Sequence, residues 1–183
     1  MSLLQPFFLP SDAGPLFCIY HQPDRGVELR GSVLCVPPFN EEMNRCRSMI
    51  TLQAQAFAEA GYGTLLVDLP GTGDSHGDHG DATWESWQAA VLSGHLWLSE
   101  RGGCVALWGV RLGVALALSA FLRRHDAPRL LIAWQPVTDG KTHLTQFLRV
   151  RIAAQLEGGP AQKETTSSMR QQLAQGQPVE VAG

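Results

Sequence analysis

Cys104-Val105-Ala106-Leu107-Trp108-Gly109-Val110-Arg111-Leu112-Gly113 is the stretch that decides the fold. Cys104–Trp108 is a short apolar run of the kind that forms a strand buried on both faces, and Leu112–Leu122 continues as a strongly apolar helix. The chain reverses between them over very few residues, with Gly109 and Gly113 spaced evenly about Arg111. So sharp a strand-to-helix turn brings neighbouring side chains into collision, and glycine removes them. The same alternation extends outward. Ser32–Val36, Thr64–Leu69 and Arg129–Trp134 are further strand-like runs, and helical patterns separate them. From residue 32 the order is β-α-β-α-β-α-β, which calls for a parallel sheet with helices on both faces.

The helices carry their own signals. Asn40 is placed to cap a helix with Glu41 and Glu42 in its first turn and an apolar stripe of Met43, Cys46, Ile50, Ala54, Phe57 and Ala58, closed by Gly61. Asp81 is placed to cap a second helix, with Trp84, Trp87, Val91 and Leu98 on its buried side. Leu16–Tyr20 precedes the first parallel strand across His21-Gln22-Pro23-Asp24-Arg25-Gly26, a turn-rich connection that predicts an antiparallel pairing of Leu16–Tyr20 with Ser32–Val36. Beyond Asp139, Leu144, Phe147, Leu148, Ile152 and Leu156 mark an amphipathic helix that Gly158-Gly159-Pro160 ends. A weaker helix is expected over about Thr165–Ala174, and Val179-Glu180-Val181-Ala182-Gly183 reads as the start of a strand. The expected organisation is a core over 1–140, a lid-like or cap-like helical segment over 141–177, and a strand beginning at 178–183, as in the front part of a longer domain.

Composition narrows the function. The 183 residues are 44% hydrophobic and only 17% charged, with a net charge of −3. That is enough apolar material for a core and too little basic charge for a nucleic-acid partner. Leu112–Leu122, the longest apolar run, is too short to span a bilayer. Residues 1–10 lack the basic start of a signal peptide. Cys18, Cys35, Cys46 and Cys104 form no C-x-x-C pair and fall in apolar patterns, so buried thiols are expected rather than a metal site or disulfides. The expectation is a cytoplasmic protein with neither cofactor nor metal.

The strand–turn–helix with its two glycines matches the nucleophile elbow of α/β-hydrolases, G-x-S-x-G, except that Arg111 stands at the centre. An arginine is protonated at any physiological pH and has no lone pair for attack. A literal G-x-S-x-G occurs at Gly73-Asp74-Ser75-His76-Gly77, but no helix begins directly after Ser75. Its hydroxyl is a candidate nucleophile on that motif, or else a tie for a tight loop. Asp139 follows the Arg129–Trp134 strand, where some of these enzymes keep their triad acid, and Asp139-Gly140 is equally an ordinary turn pair. A triad histidine would lie beyond residue 183, and His143 is expected at the surface. After Val36, Pro37-Pro38-Phe39-Asn40 occupies the place of an oxyanion loop. Proline has no N–H, so Phe39 or Asn40 would supply one donor and Leu112 the other, unless the prolines merely stiffen the strand exit. Arg111, Leu112, Phe39 and Asn40 are thus the candidate ligand-binding residues. Arg111 needs an acidic partner because a cation at a helix N-terminus is unfavourable. Glu41, Glu42 and Asp74 are the candidates, and an anionic ligand is the alternative.

Pro37-Pro38-Phe39-Asn40-Glu41-Glu42-Met43-Asn44, Asp68-Leu69-Pro70-Gly71-Thr72-Gly73-Asp74-Ser75, Leu107-Trp108-Gly109-Val110-Arg111-Leu112-Gly113 and Trp134-Gln135-Pro136-Val137 together resemble the exosortase A system-associated hydrolase 2 family. The likeness extends to Leu3–Pro10 and Leu144–Leu148. It implies an α/β-hydrolase-like parallel sheet in bacteria that make exopolysaccharide and sort proteins by a C-terminal exosortase signal. It also implies a chain longer than this one. Two functions remain open: a hydrolase acting on an ester or acyl bond of a small-molecule or envelope-derived substrate, or a binding protein that keeps the pocket without the chemistry. A sheet ending at its fourth parallel strand is also expected to associate through the unpaired edge.

Overall fold

The computed structural model describes residues 3–122, 124–157 and 164–181, without the side chains of 154–157. Its elements are β1 (Leu4–Leu9), β2 (Leu16–His21), β3 (Gly31–Val36), α1 (Glu41–Glu59), β4 (Tyr62–Val67), α2 (Trp84–Ser99), β5 (Cys104–Val110), α3 (Leu112–Phe121), β6 (Leu130–Trp134), α4 (Gly140–Glu157) and α5 (Thr166–Ala174). One six-stranded sheet has the order β1-β2-β4-β3-β5-β6. The strands β3, β4, β5 and β6 are parallel, as the alternation of apolar runs and helices predicts.

The N-terminal pairing differs from the expectation. β2 does not pair with β3. It runs antiparallel to β4, from Cys18 opposite Val67 to His21 opposite Thr64, and antiparallel to β1 on its other side. The hairpin is therefore β1–β2. Its turn is tied by Gly14 N–H to Ser11 O at 3.0 Å and Ser11 Oγ to Gly14 O at 2.5 Å. Gly14 has φ 99°, a left-handed conformation that glycine adopts without strain. The connection before β3 is no hairpin turn: Arg30 N–H donates to Gly61 O at 2.8 Å, which sets β3 beside β4. β1 itself contains Pro6, which an edge strand tolerates because one side of its backbone needs no ladder partner.

Every residue of β3 is buried. Leu34, Val36, Leu65, Val67 and Leu107 pack with Trp87, Val91, Leu98, Leu116 and Ala117 of α2 and α3. Val33, Cys35, Ala106, Trp108 and Val110 pack on the opposite face with Ile50 of α1. All four cysteines are free. Burial pushes the thiol of Cys18 up to about 12 and that of Cys104 up to about 11.

Two helix starts also differ from expectation. Asn40 holds the N-cap position of α1, but its side chain makes no capping bond, and its backbone lies at φ 51°, ψ −129°. α2 is capped by Thr83, whose side chain accepts from Ser86 N–H while Ser86 Oγ accepts from Thr83 N–H. Asp81 instead lies in a short 3-10 turn, His79–Asp81.

The chain divides into two compact units, Met1–Pro136 and Val137–Gly183. In the second, α5 starts with a capping box between Thr165 and Ser168, Met169 is fully buried, and Arg151 pairs with Glu164 at 2.6 Å. The expected stop at Gly158-Gly159-Pro160 lies outside the described residues. Residues 178–181 carry no regular secondary structure, and residues 182–183 lie outside the description.

Candidate functional site

Arg111 sits between the last residue of β5 and the first of α3 at φ 54°, ψ −118°. Both flanking glycines are required by close approach. A Cβ on Gly109 would lie 2.5 Å from the Cα of Val114, and one on Gly113 2.3 Å from the carbonyl oxygen of Val36. The turn is thus a nucleophile elbow in geometry, pressed against the loop that leaves β3. A non-glycine residue in this region of φ/ψ is strained by about 1–3 kcal/mol and persists only where its surroundings enforce it.

The enforcement comes from hydrogen bonds in three directions. Arg111 N–H donates to Trp134 O at 2.9 Å, Nε to Glu42 Oε1 at 3.0 Å and Nη1 to Gln135 O at 3.2 Å. Of the three carboxylates that could have faced Arg111, Glu42 does. It belongs to the first turn of α1, directly after β3, and β3 is the sheet neighbour of β5. Asp74 is held elsewhere, with its N–H on Asp68 Oδ2 at 3.2 Å. Gln135 is a site residue that the pattern of the sequence did not mark. It follows β6 at φ 43°, and Asn40, Arg111 and Gln135 are the non-glycine residues of positive φ among the described residues, in the connections that leave β3, β5 and β6. The side chains of Arg111 and Glu42 are 29% and 34% exposed, so their pair contributes at most about 1 kcal/mol.

Pro37, Phe39, Asn40, Met43, Trp87 and Leu112 line a cavity over the start of α3. Phe39 and Asn40 thereby share this cavity with Leu112. Trp87 forms the wall; its Nε1 donates to Pro70 O at 3.0 Å, and Phe39 packs against it with ring centroids 5.6 Å apart. The first N–H groups of a helix lie outside its own hydrogen-bond ladder; here Val114 N–H is taken by Arg111 O at 3.3 Å, and Leu112 lines the cavity. The free space is about 10 Å³, room for about one water-sized group. On the α1 side of Arg111 a larger groove, about 490 Å³, is lined by Cys46, Met49, Val110, Ala133, Trp134 and Gln135.

The two candidate catalytic residues have other work in the structure. Ser75 Oγ accepts from Phe17 N–H at 2.8 Å and donates to Asp68 O at 2.6 Å. Both its donor and an acceptor lone pair are committed to backbone, which ties the 68–78 loop to β2. Asp139 caps α4: its carboxylate accepts from Lys141 N–H, Thr142 N–H and Thr142 Oγ1 at 2.9, 3.2 and 2.6 Å. Those bonds, the Thr142 hydroxyl first, hold its carboxyl below the usual range. His143 is half-buried rather than exposed, with its N–H on Asp139 O at 3.0 Å. Among the described residues no three His, Cys, Asp or Glu side chains gather in a way that could hold a metal ion, and no helix is long and apolar enough to cross a membrane.

No family model matches the chain. A stretch of 72 residues is 35% identical to the thermostable monoacylglycerol lipase of Bacillus sp. (strain H-257), covering 39% of this chain and 28% of the lipase. Among solved structures, an α/β serine hydrolase without a lid from Xanthomonas campestris superposes with a TM-score of 0.59 at 22% identity, over 71% of this chain and 60% of that one. The α/β hydrolase GrgF from Penicillium sp. sh18 gives 0.63 at 18% identity, over 98% and 69%. A thermostable carboxyl esterase from Bacillus coagulans gives 0.60 at 19% identity, over 91% and 55%. The chain thus spans little more than a quarter of the curated relative and about 60% of the first of these structures.

Proposed function

We propose, from the α/β-hydrolase fold as premise, that this chain holds an acyl or ester compound at the N-terminus of α3 and does not cleave it. The observation that carries the reading is the arginine at the elbow. It takes the strained backbone position of a nucleophile, and its guanidinium is spent on Glu42 and Gln135. What remains around it suits binding: N–H groups at the start of α3, the Phe39-Asn40 loop, and an aromatic wall at Trp87. The cavity admits only the carbonyl oxygen of such a compound next to Leu112, with the rest of the compound outside it. The strings Pro-Pro-Phe-x-Glu-Glu-Met and Trp-Gly-x-Arg-x-Gly support placing this role in a bacterial exosortase and exopolysaccharide system.

The hydrolase reading has its own support in the stretch shared with the monoacylglycerol lipase and in the esterase-like neighbours. It would route attack through Ser75 or an activated water. Hydrolysis of 4-nitrophenyl acetate by the wild type, Ser75→Ala and Arg111→Ala separates the two. The binding reading expects all three at the buffer rate. It also expects phenyl acetate to change the tryptophan fluorescence saturably and to be recovered intact. Turnover that disappears in Ser75→Ala would restore the hydrolase, and no saturable change would remove the binding role.

A further inference from the structure

A second cavity, away from the elbow, lies between α1 and β2. Phe17 and Ile19 line it from β2, Ile50 and Thr51 from α1, and Leu66 from β4, with Arg47 and Asp68 paired at 3.4 Å at one end. Its volume is about 110 Å³, several times the ~10–15 Å³ that one water needs. His21 also lines it. That histidine is only 2% exposed, and its Nδ1 is buried with no hydrogen-bond partner. Thr64, its register partner across the β2–β4 ladder, is fully buried, and its Oγ1 likewise has none. Buried polar atoms are nearly always partnered, so the orphaned Nδ1 of His21 on the wall of this cavity marks a place for a ligand group.

We infer that this α1–β2 cavity is a binding site for a small neutral molecule with a hydroxyl or primary amide head on a short aliphatic body. Burial lowers the histidine pKa, so His21 is neutral and offers one donor and one acceptor. A head that both donates and accepts, as an alcohol or an amide does, meets His21 Nδ1 in either tautomer. An ion is disfavoured, because nothing charged is at hand to offset its desolvation: the single cation lining the cavity, Arg47, is already paired with Asp68. The walls of Ile19, Ile50 and Leu66 take the aliphatic part.

The test is titration of the 183-residue chain with 1-butanol, butyramide and butyrate, read from the His21 ring nitrogens by NMR. His21→Phe removes the head partner. Because that change touches a buried strand, Thr51→Trp is the second variant, filling the cavity from half-buried α1 without touching His21. The expected result is a saturable His21 shift with butanol and butyramide, at least tenfold weaker with butyrate, and lost in Thr51→Trp. A Tm rise with butanol in the wild type should vanish in both variants. No saturable shift would mean that the orphans are met by water alone and would overturn the proposal. So would equal binding of butyrate, or binding that survives Thr51→Trp.

Discussion

Replacing Arg111 by alanine and by glycine should reverse the usual stability order of those two residues. In a regular element glycine is worth about 0.5–1 kcal/mol less than alanine. At φ 54°, ψ −118° the order inverts, because alanine keeps the backbone strain, about 1–3 kcal/mol, that glycine releases. Both variants lose the Nε–Glu42 contact at 3.0 Å and the Nη1–Gln135 O contact at 3.2 Å. The half-exposed ion pair is worth about 0.2–1 kcal/mol and the second hydrogen bond about 1 kcal/mol. Arg111→Ala should therefore lose about 1–2 kcal/mol, while Arg111→Gly should fall within about 1 kcal/mol of wild type. For a chain of this size 1 kcal/mol is about 2–4 °C in Tm. Urea unfolding followed by tryptophan fluorescence, with thermal melts beside it, reads the difference. Alanine as stable as glycine, or more stable, would refute the enforced elbow.

Ser75→Ala leaves Phe17 N–H without its acceptor and should cost about 1–3 kcal/mol in urea unfolding. Trp87→Phe keeps most of the wall but drops the bond to Pro70 O, so about 1 kcal/mol is expected, with weaker phenyl acetate binding. The depressed carboxyl of Asp139 contributes stability above the pKa of the unfolded chain, and that contribution is lost as pH falls through the lower folded value. Asp139→Asn should flatten that acid limb of the stability–pH profile, and an unchanged profile would contradict the cap. At pH 8 a thiol reagent should label half-buried Cys46 ahead of Cys18, Cys35 and Cys104, whose thiols burial pushes far up.

The parallel strands were legible because each is a short apolar run, although only the inner ones are buried on both faces and Leu130 and Leu131 of β6 are exposed, and the elbow was legible because Gly109 and Gly113 are needed at fixed offsets. β1 was not, since Pro6 and Pro10 read as punctuation and only an edge position makes a proline acceptable inside a strand. The neighbour of β2 was not legible either. Adjacency along the chain suggests β3, but β4 is inserted between them, and that choice is made by tertiary packing. Asp81 and Thr83 are both good caps by type, and the reciprocal bond from Ser86 decides for Thr83. Arg111 demanded an acidic partner, yet three carboxylates qualified until the sheet order put Glu42 beside β5. Gln135 stands in one of the strings that carry the family resemblance, but nothing in Trp-Gln-Pro marks a left-handed glutamine that faces Arg111.

The binding reading requires that no serine of this chain, Ser75 included, is activated for attack. Exposing the native chain to an excess of a fluorophosphonate, which phosphonylates activated serines, and weighing the intact protein tests it most directly. The unmodified mass is expected, with Ser75 unlabelled. A stoichiometric adduct that maps to Ser75 and disappears in Ser75→Ala would contradict it.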